Sequence, residues 1–425
     1  IRDAAVMRFM DSPCTAVQSA LYFAHLQRDN HPMVRVCATN NFREGGLVVN
    51  GLAPIIAPLE TEAIMSSAEQ RIRQQLGGFI PDDLGVSLTS VDAIESLTVD
   101  DSTVHARIVL GFPIDGIREH LMTQIREHVS EVLGGRELAL DLTAKIIPHR
   151  AQSSLPAMDQ VANVIAIASG KGGVGKSTTA VNLALALQAE GARVGLLDAD
   201  VFGPSQPLML GLPDGTRPEV LEGKYFVPVD AYGLQTMSMG YLTTKQTPVV
   251  WRGPKASGAL VQMMEQTRWH HLDYLLVDLP PGTGDIQLTL AQKIPVAGAV
   301  VITTPQDIAL LDAIKGVEMF RKVDIRVLGI VENMAVHICS QCGHHEHVFG
   351  QGGGEKMASE YHTEVLAALP LSLRIREQAD SGEPMVAACP DSEEAGLYRQ
   401  AARRLAARLS LTEGGKRAFP KVTQH

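Results

Sequence analysis

The chain has 425 residues, 45% of them hydrophobic, which is enough to bury the cores of two or three domains. A net charge of -10 and an aromatic content of 4% argue against nucleic acid as a partner, because nucleic-acid surfaces are usually basic and often stack bases on aromatic rings. No apolar run approaches the roughly 20 residues of a membrane-spanning helix, so we expect no membrane partner. Five widely spaced cysteines do not form a disulfide framework, which favours a cytoplasmic protein.

The N-terminal part of the chain divides into a leader and a small domain. Residues 1–64 show no sustained periodicity, and we interpret them as an unassigned leader. Residues 65–150 predict an α+β domain. Its expected elements are a helix at 68–76, strands at 86–97 and 104–110, a helix at 114–133 and a strand at 138–147. A polar linker with proline and serine at 151–162 predicts that this domain moves relative to the next one, at 163–410.

The most specific motif is a phosphate-binding loop of the pattern G-x-x-x-x-G-K-[ST]. It lies between a predicted buried strand at 163–168 and a predicted helix at 177–190. At such a junction the glycines let backbone N–H groups turn onto phosphate oxygens, Lys176 reaches the β- and γ-phosphates, and the Ser177 hydroxyl ligates Mg²⁺. The candidate nucleotide-binding residues of the loop are Gly170, Lys171, Gly172, Gly173, Val174, Gly175, Lys176, Ser177 and Thr178.

The same glycines also fit the dinucleotide-binding pattern G-x-G-x-x-G, with Asp198 and Asp200 at about the right distance to bind a ribose. A dinucleotide loop has no use for a Lys-Ser pair directly after its last glycine. The sequence therefore favours a nucleoside triphosphate, and the expected ligands are ATP and Mg²⁺.

Three further apolar runs end in polar side chains, and parallel strands would bring these ends to one edge of a sheet. The first run leads to Asp198, which would hold a magnesium-bound water, and to Asp200, which would orient the attacking water. The second leads to Asp278, an outer-sphere magnesium acid, and to Gly282, whose N–H would meet the γ-phosphate. The third leads to Asn333, which would pair with the edge of a purine base.

Cys339 and Cys342 form a C-x-x-C pair. Two thiolates are half of the four ligands that a structural zinc or a 4Fe-4S cluster requires, so two chains facing each other would complete a site. From the residues alone, a shared cluster, a zinc ion completed by a nearby histidine and a redox or plain dithiol all remain open. The nearby histidines are His344, His345 and His347. The cysteines without metal-ligand spacing are Cys14, Cys37 and Cys389.

The C-terminal part predicts a last helix at 391–409, capped by Asp391 and Glu394, with an apolar face that packs on the sheet. Residues 411–425 are expected to form a flexible tail.

Residues 163–409 resemble the Mrp-type (ApbC-like) branch of the deviant P-loop ATPases, a group that includes MinD, ParA and the nitrogenase iron protein. The segments that carry the resemblance are 170–177, 198–205, 251–254, 280–285 and 304–306. The resemblance implies an α/β fold with a mostly parallel sheet and helices on both faces. The preceding α+β domain is loosely similar to the MIP18-like domain, although the cysteine of that domain is missing here.

The resemblance also implies a function. Members of this branch carry an iron-sulphur cluster and pass it to apoproteins, which selects a 4Fe-4S cluster over zinc at Cys339 and Cys342. It implies a homodimer closed by ATP, in which Lys171 reaches the partner's nucleotide and acts in catalysis with Lys176 and Asp200. The alternatives are a MinD- or ParA-like positioning ATPase and an ATP-gated electron-transfer protein similar to the nitrogenase iron protein.

Overall fold

The computed structural model describes residues 67–149, 155, 158, 160–201, 203–242, 253–339 and 341–412. The predicted leader, Cys14, Cys37 and all but the first residues of the predicted tail lie outside the described residues. The domain boundaries stay a prediction. None of the described helices is long and apolar enough to cross a membrane.

The elements of the described chain alternate between strands and helices after a short α+β region. The helices are α1 (Ser67–Gly77), α2 (Arg118–Val129), α3 (Lys176–Ala189), α4 (Gln206–Met209), α5 (Met239–Leu242), α6 (Gly253–Gln266), α7 (Asp285–Lys293), α8 (Asp307–Lys322), α9 (Gly353–Glu360), α10 (Leu373–Ser381), α11 (Met385–Ala388) and α12 (Glu393–Ser410). The strands are β1 (Ile94–Val99), β2 (Thr103–Leu110), β3 (Glu137–Ala144), β4 (Val161–Ser169), β5 (Val194–Asp198), β6 (Val220–Leu221), β7 (Tyr225–Phe226), β8 (Val229–Ala231), β9 (Leu234–Ser238), β10 (Leu272–Asp278), β11 (Val296–Thr303), β12 (Val327–Ile338), β13 (His345–Glu346) and β14 (Val365–Pro370).

The main sheet has nine strands in the order β13-β12-β11-β4-β10-β5-β9-β8, and β14 also pairs with β12. Its neighbouring pairs are parallel, except where β8 and β13 pair antiparallel at its edges. Since β4 lies near the middle, the segment that follows it opens at the carboxyl ends of its neighbours β10 and β11, which is where α/β sheets bind ligands.

Helices cover both faces of this sheet. Along β4, Ile165 and Ile167 belong to one hydrophobic core while Val164, Ala166 and Ala168 belong to the other, as expected for a strand buried on both sides. Helices α3 and α12 pack into the first core, and α6 to α8 pack into the second. The predicted fold class, a mostly parallel sheet between two layers of helices, is confirmed.

The small α+β region, residues 67–144, contains a three-stranded sheet in the order β1-β2-β3. Three of its predicted elements are too long. The strand predicted at 138–147 is β3 and ends at Ala144. The strand predicted at 86–97 begins only at Ile94, because turns that include the positive φ of 52° at Asp92 occupy the preceding residues. The helix predicted at 114–133 is α2 followed by a 3-10 turn at Ser130–Val132.

The N-cap of the last helix lies one residue later than predicted. Ser392 is the N-cap of α12, and its side chain accepts a hydrogen bond from the Ala395 N–H at 3.2 Å. The predicted cap formed by Asp391 and Glu394 is therefore wrong. Glu394 instead accepts a hydrogen bond from the Ser372 hydroxyl at 3.0 Å.

The α+β region is joined to the main sheet by a buried acid, Glu190, which directly follows α3. Its carboxylate accepts hydrogen bonds from Arg399 Nε at 2.8 Å, Arg403 Nη1 at 2.9 Å and the Gly116 N–H at 3.1 Å. Arg403 also donates to Asp83 at 2.6 Å. The region and α12 share one hydrophobic core, and both lie in the compact unit Met65–His425. The linker sequence predicts that the α+β region moves independently, whereas the structure packs it against α12.

We expect Glu190→Gln to lower the free energy of unfolding by about 3 kcal/mol, since removal of one partner from a buried ionic network leaves the remaining charges uncompensated. Urea denaturation followed by circular dichroism measures the change. The matched control is Glu377→Gln, because Glu377 pairs with Arg376 at 3.2 Å but both side chains are more than half exposed. A control of this kind should change the free energy by less than about 1 kcal/mol. Equal urea concentrations at the midpoint of unfolding for the two variants would contradict the prediction.

Candidate functional site

The phosphate-binding loop joins the end of β4 to the start of α3, which confirms the predicted order of strand, loop and helix. Gly173 and Gly175 have φ angles of 83° and 85°, in the left-handed region that favours glycine. Gly175 is the N-cap of α3 and supplies no side-chain cap. The N-cap thus places no side chain over the first N–H groups of α3, as suits an anion-binding helix terminus.

Two glycines of the loop are fixed by close neighbours. A Cβ at Gly170 would lie 2.1 Å from the carbonyl carbon of Asp312 in α8, and one at Gly175 would lie 2.1 Å from Asn333 Nδ2. Neither position has room for a side chain. The loop is consequently clamped between α8 and β12.

We expect Gly175→Ala to weaken ADP binding at least about tenfold, because the added methyl group combines a left-handed backbone with a clash at Asn333. Fluorescence titration with a labelled ADP measures the affinity. Gly258→Ala is the matched control, since a Cβ at Gly258, in α6, would meet nothing within 4 Å. Unchanged affinity in Gly175→Ala would show that the loop tolerates a different shape.

Lys176 and Asp278 form a buried ion pair directly beneath the loop. The ammonium group of Lys176 donates to Asp278 Oδ1, and the two side chains are 6% and 0% exposed. Lys176 Nζ also lies 3.3 Å from the Ser177 hydroxyl. The structure thus brings the predicted phosphate lysine, the predicted magnesium ligand and the predicted magnesium acid into one cluster. In this arrangement the ammonium group of Lys176 is paired with the acid.

Asp198 lies beside this cluster at the end of β5 and is fully buried. Its Oδ2 accepts hydrogen bonds from the Ser205 N–H at 3.1 Å and the Ser238 hydroxyl at 2.9 Å, and its Oδ1 accepts from the Asp200 N–H at 3.1 Å. Burial, and then the neighbouring charge of Asp278, raise the pKa of Asp198 to about 7. Asp198 therefore organises the segment that follows β5, and its predicted bond to a magnesium-bound water stays a prediction.

Asp200 is also buried at this edge, and its Oδ1 accepts a hydrogen bond from the Gly203 N–H at 3.2 Å. Lys171 is exposed on the loop, and its backbone carbonyl accepts a hydrogen bond from the Ser169 hydroxyl at 2.9 Å. The position of Lys171 leaves its ammonium group accessible to another molecule.

Two predicted nucleotide contacts have other partners in this structure. The Gly282 N–H donates to the Ser169 carbonyl at 2.8 Å, so this bond would have to break before the N–H could meet a γ-phosphate. The side-chain amide of Asn333 donates to the Val174 carbonyl at 2.9 Å, which ties β12 to the phosphate loop. A role for Asn333 at a purine base stays a prediction.

Sequence reasoning missed Gln206, the first residue of α4. Its Nε2 donates to Asp278 Oδ2 at 2.9 Å and to the Ser177 carbonyl at 3.0 Å. One feature of the sequence could have indicated Gln206: it directly follows the segment 198–205, which carries two of the predicted acids. That segment returns to the phosphate loop, and Gln206 is the side chain that makes the contact.

The two cysteines of the C-x-x-C pair lie on a hairpin at the end of β12. The Cys339 N–H donates to the His344 carbonyl and the Gly343 N–H donates to the Cys339 carbonyl, both at 2.9 Å. Strand β13 then pairs back onto β12. Cys339 is half-buried and Cys342 is exposed, and both are free thiols. The hairpin therefore presents two thiols at the surface.

The surroundings of Cys339 favour its ionised form. Hydrogen bonds from the backbone N–H groups of Gln341 and Cys342, together with the Cys342 thiol, lower the pKa of Cys339. Within the described part of the chain, no three His, Cys, Asp or Glu side chains form a group that could hold a metal ion. A single chain thus brings two thiols together here, and a zinc site completed by a histidine does not form among these residues.

The donor atoms beneath the phosphate loop fit Mg²⁺. They are the Ser177 hydroxyl and carboxylate oxygens of Asp198 and Asp278, and hard oxygen ligands are those that Mg²⁺ prefers. The Gln206 Oε1 atom is buried and has no hydrogen-bond partner among the described residues, as expected of an acceptor whose ligand is not a protein group. A glycine loop at a helix N-terminus, a lysine and these acids at the ends of parallel strands define a P-loop NTPase.

Comparison with known proteins narrows this class. The family model that matches residues 160–406 describes NUBPL iron-transfer P-loop NTPases of the ParA group, and the chain belongs to this family. It is 61% identical over 274 residues to the iron-sulfur cluster carrier protein of Pseudomonas fragi, covering 64% of this chain and 96% of the relative. It is 51% identical over 334 residues to the iron-sulfur cluster carrier protein of Escherichia coli K12, covering 79% of this chain and 90% of the relative.

Among solved structures, a nucleotide-binding protein from Archaeoglobus fulgidus in complex with ADP is 36% identical, with 53% of this chain and 88% of that chain covered and a TM-score of 0.48. The predicted resemblance to Mrp-type P-loop ATPases is confirmed by the family match. Membership of a P-loop NTPase family implies ATPase activity.

Proposed function

We propose that this protein is a cytoplasmic ATPase that holds a 4Fe-4S cluster between two copies of the chain and delivers it to apoproteins. The observation that carries the proposal is the presence of two thiols on an exposed hairpin at the end of β12, the strand whose Asn333 also contacts the phosphate loop. The names of the relatives as iron-sulfur cluster carriers support the cargo, and the phosphate loop supports the use of ATP.

The ATP site would work through groups that the structure already gathers. The N–H groups of the loop and of the first turn of α3 bind the phosphates, and Lys176 leaves Asp278 to neutralise the β- and γ-phosphates. Ser177 and, through water, Asp278 and Asp198 hold Mg²⁺, which supplies positive charge against the phosphate oxygens. Asp200 orients the attacking water. When the ion pair between Lys176 and Asp278 breaks, Lys176 would be neutralised by the phosphates and Asp278 by Mg²⁺. Each buried charge would therefore stay compensated.

The cluster site would need two chains. Each chain offers two thiolates, and a 4Fe-4S cluster takes four. The exposure of Cys342 and the lowered pKa of Cys339 suit ligands that must be ionised and must reach across a symmetry axis. An exposed cargo held at an interface is also accessible to the apoprotein that receives it.

Lys171 is proposed to act on the nucleotide of the partner chain, because it is exposed at the loop and the family resemblance implies this role. We expect Lys171→Ala and Asp200→Ala each to hydrolyse ATP slowly. When the two variants are mixed and exchange subunits, a hybrid dimer has one site with both residues intact, so activity should rise to about one quarter of the parent value. Mass spectrometry of differently labelled chains confirms exchange. If exchanged mixtures show no more activity than the separate variants, Lys171 acts within its own chain.

The function is tested by anaerobic reconstitution with iron and sulphide. Absorption and Mössbauer spectra should show a 4Fe-4S cluster with about four irons per dimer. The loaded protein should then restore the activity of an apoenzyme that requires such a cluster. If the cluster forms but donates electrons without leaving the protein, the electron-transfer alternative is correct. Binding of zinc in place of iron would contradict the carrier proposal.

A further inference from the structure

Among the described residues, Gln206 is a side chain next to the phosphate loop whose amide oxygen is buried without a hydrogen-bond partner. The residue is 1% exposed. Its Nε2 has two acceptors, Asp278 Oδ2 at 2.9 Å and the Ser177 carbonyl at 3.0 Å, whereas its Oε1 is buried without any hydrogen-bond partner in the described structure. Since both neighbours can only accept hydrogen bonds, the NH₂ group must face them and the amide oxygen must point elsewhere.

A buried amide oxygen without a partner is unfavourable by about 1–3 kcal/mol, so its retention calls for a physical reason. The surroundings supply one. The same amide contacts Asp278 and the residue that carries the predicted magnesium ligand, Ser177. Amide oxygens are suitable acceptors for water molecules bound to Mg²⁺.

The backbone of Gln206 is also held by a buried acid. Its N–H donates to Asp198 Oδ2 at 3.2 Å, and the same oxygen accepts from the Ser205 N–H at 3.1 Å. Asp198 therefore fixes the main chain at Gln206 while Asp278 fixes its side chain. One residue thus connects both buried acids to the loop.

We propose that Gln206 is a positioning residue of the magnesium site. Its NH₂ group keeps Asp278 in place when Lys176 leaves that acid for the phosphates, and its Oε1 accepts a hydrogen bond from a water on Mg²⁺. This role rests on the proposed ATP site. It extends that site to a residue on α4, so the segment after β5 is aligned by the metal as well as by Asp198.

The test compares the parent chain with Gln206→Leu, which keeps a side chain of similar size and removes both polar atoms. Mn²⁺ replaces Mg²⁺, and the electron paramagnetic resonance signal of free Mn²⁺ measures metal binding to the protein saturated with ADP. We expect Gln206→Leu to bind Mn²⁺ about 10- to 100-fold more weakly, the range found when outer-shell partners of metal sites are removed. Its affinity for ADP without metal should change less than about twofold, because Gln206 faces the acids and not the loop N–H groups.

Gln235→Leu is the matched control. Gln235 is a glutamine whose amide oxygen has a partner: it accepts from the His270 N–H at 2.8 Å, and its NH₂ group donates to the His270 carbonyl at 2.9 Å. It lies in β9 opposite Gly195, three residues before Asp198 along β5. This variant should bind Mn²⁺ as the parent does. Gln206→Asn provides a second variant that keeps the amide but shortens its reach, and it should also weaken Mn²⁺ binding.

The outcomes separate the two proposals. Equal Mn²⁺ affinity in the parent, Gln206→Leu and Gln206→Asn would overturn the role of Gln206 while leaving the ATP site intact. A purely structural role predicts that ADP affinity without metal and thermal stability fall together with Mn²⁺ affinity, which would also overturn it. Failure of the parent chain to bind ADP at all would overturn the proposed function, and the role of Gln206 with it.

Discussion

Replacement of Lys176 by alanine is expected to slow ATP hydrolysis by about 100- to 1000-fold, the usual effect of removing one group that stabilises developing charge. The ammonium group of Lys176, a residue of the loop, is buried and lies 3.3 Å from the Ser177 hydroxyl. Phosphate release at saturating ATP measures the rate. A circular dichroism spectrum shows whether the fold survives, since the change also removes the partner of Asp278.

Two further variants separate catalysis from folding. Ser177→Ala removes the predicted magnesium ligand but keeps the ion pair of Lys176 with Asp278, so a similar loss of rate there cannot come from a broken ion pair. Lys315→Ala is the matched control for charge, because Lys315 also pairs with an aspartate, Asp312 at 2.9 Å, but is 66% exposed. It should hydrolyse ATP at the parent rate. Full activity in Lys176→Ala would disprove the assignment of the phosphate loop.

Loss of either C-x-x-C cysteine is expected to abolish the cluster. In Cys339→Ala or Cys342→Ala a dimer retains two of four ligands, and we expect fewer than about one iron per dimer after anaerobic reconstitution, compared with about four in the parent. Iron analysis and the broad visible absorption of the cluster provide the measurement. ATP hydrolysis should persist in both variants, since the thiols lie on the hairpin beyond β12 and not beneath the loop.

Cys389→Ala is the matched control for this experiment. Cys389 follows α11 and packs against the hydrophobic core, so its removal should leave the iron content unchanged. An iron content that falls equally in all three variants would point to general instability. Transfer of a cluster by the double variant Cys339→Ala/Cys342→Ala at the parent rate would place the cargo elsewhere on the chain.

The local parts of the site could be predicted from the sequence because each depends on one short segment. The glycines, Lys176 and Ser177 follow a buried strand directly, and their chemistry is fixed by that junction. The segment that carries Cys339 and Cys342 is equally local, since a hairpin of a few residues suffices to present both thiols. The order of strand, loop and helix therefore needed no knowledge of the tertiary structure.

The contacts between segments could not be predicted in the same way. Lys176 meets Asp278 only because β10 lies beside β4, and Asp278 meets Asp198 only because β10 also lies beside β5. Strand order is set by the packing of the whole sheet, so no pattern around Gln206 indicated that its amide would reach Asp278. The same reason hid Glu190, whose partners come from the α+β region and from the last helix.

The predicted ends of some helices and strands were wrong for local reasons. The predicted strand at 86–97 counted apolar residues that the structure places in turns, since Val86 and Leu88 pack against the core without strand pairing. At α12 both Asp391 and Ser392 can cap a helix, and a shift of one residue decides which side chain faces the first N–H groups.

Strand β12 links the phosphate loop to the hairpin that carries the C-x-x-C pair over a short stretch of backbone. Asn333 holds the Val174 carbonyl, and Cys339 follows six residues later, a span of at most about 20 Å. A strand cannot stretch, so a phosphate loop that moves on binding its ligand must either release the Asn333 amide or pull the strand with it. If the Asn333 hydrogen bond breaks, the loop moves without the thiol hairpin. If the bond holds, the hairpin is displaced together with the loop. The Asn333 hydrogen bond therefore decides whether a movement of the phosphate loop is transmitted to the hairpin that carries Cys339.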